Sequence, residues 1–280
     1  MRFGVHIRIA QGLEKALDRA EALGCESVQV FSGNPNAWSR KPLDPEAAAV
    51  FVTRWAELDI RPIVLHTPYL VNLASPDDGI WVKSTQALAD AVVRAHLLNA
   101  SYVVTHIGSH KGAGYAEGVA RVCAAVRTAL EAAPEPVVAL ELGSGAGHAV
   151  GSRFEEIADI IEGIPDIQSR VGICIDAAHL WGAGYNISTP KGVEHMFGEL
   201  ARCAGLDKLQ VIHLNDTLVE LGCHRDRHHH IGRGRIGLDG FRALVNHPAA
   251  AGLPGIIETP DHSMERDAEN LAALRALVQE

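Results

Sequence analysis

Eight short runs rich in aliphatic and β-branched residues recur along the chain, separated by longer amphipathic stretches. The runs are 2–7 (RFGVHI), 27–31 (SVQVF), 62–66 (PIVLH), 102–106 (YVVTH), 137–141 (VVALE), 171–176 (VGICID), 209–214 (LQVIHL) and 255–259 (GIIET). Between them, 82–98 and 116–133 place apolar residues at i, i+3, i+4 spacing, as a helix with one buried face does. The short runs are almost continuously hydrophobic, which a strand shows when helices cover both faces of its sheet. No linker or shift in composition interrupts the alternation over residues 1–280. The expectation is an α/β fold, a single (β/α)8 barrel of parallel strands and one domain, a class that reaches about 250 residues around one core.

Composition excludes several alternatives. No apolar run approaches the roughly 18 residues that a membrane helix needs, and the N-terminal stretch lacks the apolar region of a signal peptide. A cytoplasmic protein with no membrane partner is expected. The five cysteines are odd in number and have no CxxC spacing, so they read as reduced thiols rather than a disulfide frame. A barrel of this size buries enough core to stand as a monomer. The formal net charge of −9, taken alone, argues against a nucleic-acid partner.

The chemistry lies at the ends of the runs. The third to eighth close on or next to His66, His106, Glu141, Asp176, His213 and Glu258, each separated from the next by roughly one βα unit. In a parallel barrel all strands point the same way, so these six side chains converge on the C-terminal face, where active sites of this fold lie. A single polar residue after a strand is usually a cap or a turn former. Six in register are different, because clustered carboxylates repel unless cations or protons hold them together. Imidazole mixed with carboxylate suits zinc, manganese or iron better than calcium or magnesium.

Three further residues extend the set. His179 follows Asp176 by three positions, and the stretch 223–237 (CHRDRHHHIGRGRIG) carries Asp226 and His228. Two residues apart on an extended backbone, those side chains share one side while Arg227 faces the other. Five histidines and four carboxylates suffice for three ions if some ligands are shared. His224, His229 and His230 are read as non-ligands that face solvent or phosphate. Water held between such ions would ionise near neutral pH and act as a nucleophile.

The motifs HLND (213–216), DRH (226–228), IDAAH (175–179), GSH (108–110) and IIET (256–259) resemble, in order and over essentially the whole chain, those of the endonuclease IV family. That resemblance implies a three-zinc barrel, with manganese or iron as alternatives at one site, that cleaves DNA 5′ to abasic sites. It implies His66, His106 and a bridging Glu141 for one zinc, Glu141, Asp176, His213 and Glu258 for a second, and His179, Asp226 and His228 for the third. Glu141 and Glu258 are the expected catalytic carboxylates, Glu258 orienting or deprotonating the attacking water. Three divalent ions would also reduce the formal charge from −9 to about −3.

The DNA-facing surface departs from the family pattern. Tyr69 and Leu70, in HTPYLVNL (66–73), resemble side chains that the family inserts into duplex DNA; the alternative is that they merely roof the barrel. Asn36 stands where an arginine is usual, Arg8 where a small residue is usual, and LGSGAGHAVG (142–151) replaces a more polar segment. Arg233 and Arg235 are expected to restore part of the missing positive charge, with two solvated arginines as the alternative. The competing function is a sugar isomerase or epimerase of the xylose-isomerase-like barrels, which would use Glu141, Asp176, His213 and Glu258 for one metal and leave the other five residues without a role.

Overall fold

The computed structural model describes residues 1–38 and 42–279, so Ser39, Arg40, Lys41 and Glu280 lie outside the described residues. Ten strands occur among these: β1 (Arg2–Ile7), β2 (Ser27–Phe31), β3 (Ile63–His66), β4 (Tyr102–His106), β5 (Val137–Glu141), β6 (Val171–Asp176), β7 (Leu209–His213), β8 (Asp216–Thr217), β9 (His228–His229) and β10 (Pro254–Ile257). Eight close into a barrel in the order β1-β10-β7-β6-β5-β4-β3-β2, and every neighbouring pair runs parallel. Helices cover the outside between successive barrel strands. This is the expected (β/α)8 architecture.

Some boundaries differ from the sequence expectation for local reasons. Pro62 is outside β3, since proline has no N–H to give a ladder. The last barrel strand is Pro254–Ile257, not 255–259, because the Glu258 N–H turns to the Asn215 side-chain oxygen at 2.7 Å. The helix expected over 82–98 spans Asp78–Leu97, as the Asp77 carboxylate caps it by accepting from the Ile80 N–H at 2.9 Å. The one expected over 116–133 spans Tyr115–Leu130. The antiparallel pair β8–β9 was not expected.

Alternation along the barrel strands builds the floor of the site. Val64, Val104, Ala139, Cys174, Val211 and Ile256 form a fully buried apolar cluster, one residue from each of six strands. Two residues further on stand His66, His106, Glu141, Asp176 and His213, each the last residue of its strand, and Glu258, just past the end of β10. With a side-chain period of two, the same strand face that fills the barrel below presents polar groups above. The larger outer core, with Phe51, Phe154, Phe197 and Phe241 fully buried, holds the helices against the barrel.

Candidate metal centre

His66, His106 and Glu141 meet first. The Nε2 atoms of both histidines lie 3.2 Å from the same carboxylate oxygen, Glu141 Oε2. The other oxygen of Glu141 lies 3.3 Å from His213 Nδ1, which is also 3.1 Å from Glu258 Oε2 and 3.8 Å from Asp176 Oδ2. Glu141 therefore belongs to two groups capable of holding an ion, the second being Glu141, Asp176, His213 and Glu258. A third group gathers Asp176, His179 and His228. Asp226 stands beside it, its two oxygens 3.2 Å from His179 Nε2 and 3.1 Å from His228 Nε2. The structure thus brings all nine expected residues to one mouth, and adds Asp176 to the neighbourhood of His179 and His228.

The histidines are oriented by their other nitrogens. Nδ1 of His66 donates to the Thr67 carbonyl at 2.6 Å, Nδ1 of His179 to the Leu142 carbonyl at 2.9 Å, and Nδ1 of His228 to the Glu258 carbonyl at 3.0 Å. Each ring then aims Nε2 at the carboxylates, the arrangement that metal-ligating histidines adopt. His213 Nδ1 and His228 Nε2 are buried and make no hydrogen bond, although carboxylate oxygens surround both. Lone pairs of nitrogen and oxygen directed at a common point, not at one another, fit a cation there.

The ionisable groups also compensate one another. Burial pushes the Glu141 carboxyl up, but His106 and His213 outweigh it and hold it well below the usual range. Glu258 behaves alike, with burial opposed by His213 and His6. Burial lowers His228, yet Asp176 and Asp226 raise it to about 9. His179 and His213 are likewise raised above their ordinary value, burial being overcome by neighbouring acidic groups.

The loop 223–237 is positioned by a residue that supplies no ligand. The buried Asp216 carboxylate accepts from the backbone N–H groups of Thr217, Gly234 and Ile236 at 2.8, 2.9 and 3.0 Å. A Cβ on Gly234 would fall 2.4 Å from that carboxylate, which accounts for a glycine between two arginines. Asn215 links two strands, donating to Asp176 Oδ2 at 2.6 Å and accepting from the Glu258 N–H. Neither role was anticipated; the signal was the clustering of His213, Asn215 and Asp216 after one strand. Gln29 and His6, also missed, face the site from β2 and β1. A polar amide in an otherwise apolar strand was the available clue.

An open cleft of about 1280 Å³ leads to the site, with Arg8, Asn36, Tyr69 and His262 on its walls. Tyr69 is 56% exposed while its ring stacks at 6.2 Å on His106 and meets Phe31 edge-on, so it both covers the first group and faces outward. Leu70 beside it is 37% exposed. The loop bearing both is clamped to the β4 loop by Asn72, which exchanges hydrogen bonds with the Ser109 backbone at 2.9 and 3.1 Å. Gly108 has φ +104°, and a Cβ there would lie 2.1 Å from Asn72. Arg233 pairs with Glu269 at 3.2 Å and Arg235 with Glu220, all on the surface. His224 Nδ1 sits 3.3 Å from the Ser144 carbonyl, and His230 stands beside Asn270. Cys25, Cys123, Cys174, Cys203 and Cys223 are all free. Among the described residues no helix is long and apolar enough to cross a membrane.

Comparisons with known proteins agree with this geometry. A family model described as "Xylose isomerase-like TIM barrel" matches residues 17–279. The chain is 44% identical over 281 residues to a "Probable endonuclease 4" of Chloroflexus aurantiacus, covering 99% of this chain and 98% of that one. It is 45% identical over 277 residues to a "Probable endonuclease 4" of Methanoculleus marisnigri, covering 98% of each. The crystal structure of endonuclease IV from Thermus thermophilus superposes with a TM-score of 0.89 at 33% identity, over 99% of this chain and 98% of the other. The chain belongs to the endonuclease 4 family, within the xylose isomerase-like TIM barrels.

Proposed function

We propose that the protein hydrolyses the phosphodiester 5′ to an abasic site in duplex DNA, leaving a 3′ hydroxyl and a 5′ deoxyribose phosphate. The observation that carries this reading is the shared carboxylate: Glu141 turns one oxygen to His66 and His106 and the other to His213. Groups that share one carboxylate would hold ions close enough to suit in-line displacement at phosphorus, which needs charge compensation at attacking and leaving oxygens together. His66 and His106 with Glu141 would hold one zinc ion; Glu141, Asp176, His213 and Glu258 a second; His179, Asp226 and His228 a third. When bound, these ions supply positive charge for the phosphate and lower the pKa of the attacking water.

The chain's own groups do the rest. Glu258 lines the cleft, where it would orient or deprotonate the attacking water. Tyr69 and Leu70 are placed to enter the duplex at the lesion, where the missing base reduces the unstacking that insertion costs. Burial, then Glu258 and Glu141, push the Tyr69 phenol up to about 12, so it enters as a neutral ring. Arg8 and Asn36 face the same cleft, and Arg233 and Arg235 are proposed as phosphate contacts on the loop beyond it.

The test is incision of a duplex bearing one synthetic abasic site by purified, chelator-stripped and zinc-restored protein. Cleavage 5′ to the lesion that is lost on stripping and regained with zinc is expected. Folded, fully metallated protein that leaves the strand intact would overturn the reading.

A further inference from the structure

Gln29 sits mid-strand in β2, fully buried in the barrel, and both ends of its amide are engaged. Its Oε1 lies 2.9 Å from His213 Nε2, and its Nε2 lies 2.8 Å from Glu258 Oε1. Glu258 Oε1 is also 2.5 Å from His6 Nδ1, itself 3.0 Å from Gln29 Nε2. The hydrogens can be placed by elimination. A carboxylate oxygen only accepts, so His6 carries its proton on Nδ1 and gives it to Glu258. His6 Nδ1 then has no lone pair for Gln29, whose N–H must also go to Glu258. The amide oxygen is left facing His213, and it requires a proton on Nε2. The reverse amide orientation would set two acceptors 2.8 Å apart at Glu258.

We propose that Gln29 is a positioning residue that sets the His213 tautomer and the Glu258 carboxylate together, shaping the central group for its ion. With Nε2 protonated, His213 presents an unprotonated Nδ1 to Glu141, Glu258 and Asp176, and that atom makes no hydrogen bond of its own. With Oε1 occupied by two donors, Glu258 turns Oε2 alone towards His213 Nδ1 at 3.1 Å. One amide therefore couples two of the four groups, which arise from strands far apart in the sequence. The proposal rests on the metal-dependent reading above, but its test does not depend on the substrate.

The test uses the full chain as Gln29→Met, which keeps length and burial and removes both hydrogen bonds, and as Gln29→Glu, which keeps the acceptor for His213 only. Zinc affinity is measured by competition against a chromophoric chelator, and the ring nitrogens of 15N-histidine-labelled protein by NMR. Orienting partners of metal ligands typically contribute about 10- to 100-fold in affinity. In zinc-loaded protein, Gln29→Met is expected to weaken the central zinc by that factor and to move the His213 Nε2–H resonance upfield, as the loss of its hydrogen bond to Gln29 requires. Gln29→Glu is expected to keep that hydrogen bond while still losing affinity. Unchanged zinc affinity in folded Gln29→Met, or a zinc-loaded wild-type His213 protonated on Nδ1, would overturn the proposal. If Gln29→Met does not fold, the Gln29→Glu affinity and the wild-type tautomer decide it. Wild-type protein that binds zinc yet does not incise abasic DNA would defeat the functional reading and leave this one standing.

Discussion

Asp176 and Asp226 are both aspartates that face His228, at 3.4 and 3.1 Å, yet the first is 0% and the second 44% exposed. Asp176 ends a central barrel strand, and its oxygens accept from the Ala178 and His179 N–H groups and from Asn215. Asp226 rides on the loop 223–237, whose place depends on the anchor at Asp216. The same side chain thus occurs once as part of a rigid sheet and once at the end of a folded loop. The central group is built on barrel strands, whereas the loop-borne ligand stands only where its loop is anchored. Ligands on strands are held more narrowly than ligands on loops, because each strand is fixed by two neighbours.

The largest contrast is expected on incision. Glu141→Gln removes the carboxylate shared by two groups and should slow single-turnover cleavage of an abasic duplex on the order of 10³-fold or more. Asp226→Asn, at the loop, should cost about 10²-fold, the range of one lost electrostatic contact. Equal losses would mean that the two regions act as a single unit.

Metal release should follow the same order. During dialysis of metal-loaded protein against a chelator, with bound metal counted over time, an ion held beside Asp226 is expected to leave first and a central one last. In Asp226→Asn the early phase should vanish and the initial count fall by one. Simultaneous loss of all ions would remove the distinction between strand and loop.

Acid–base linkage sharpens the comparison in stripped protein. His228 is raised from 6.5 to about 9 in the fold, burial being outweighed by Asp176 and Asp226. A raised histidine contributes stability that is complete below its unfolded value and is lost as pH rises through the folded one. The metal-free thermal midpoint should therefore decline by a few degrees between about pH 6.5 and 9. Asp226→Asn should shrink the decline. Asp226 itself is depressed, burial being overcome by His179 and His228, so its contribution fades only as pH falls below the ordinary carboxylate range.

The smallest effect concerns the outer part of the loop. Arg233 and Arg235, the proposed phosphate contacts, sit in surface pairs with Glu269 and Glu220 that are worth little. Arg233→Glu with Arg235→Glu should leave folding intact and flatten the slope of log affinity against log salt by about one unit per arginine. An unchanged slope would assign both to solvent.

Much of the fold was legible because strand periodicity is local. A run such as VVALE marks itself as a buried strand by continuous hydrophobicity, and the polar residue that closes it stands at the strand's C-terminal end whatever else the chain does. The convergence of His66, His106, Glu141, Asp176, His213 and Glu258 therefore followed from the sequence once eight such runs were recognised. Asp226 and His228 were legible for the same reason, as an i, i+2 pair in extended chain. Only barrel closure brings Gln29 against His213, 184 residues away, or lets Asn215 reach both Asp176 and Glu258. Gly234 likewise became explicable only when Asp216 was seen beneath it. Local spacing determined which side chains could act at the mouth; the packing of distant strands decided which nitrogen and which oxygen of each would face the centre, since tautomers and carboxylate orientations are set by partners that no sequence neighbour supplies.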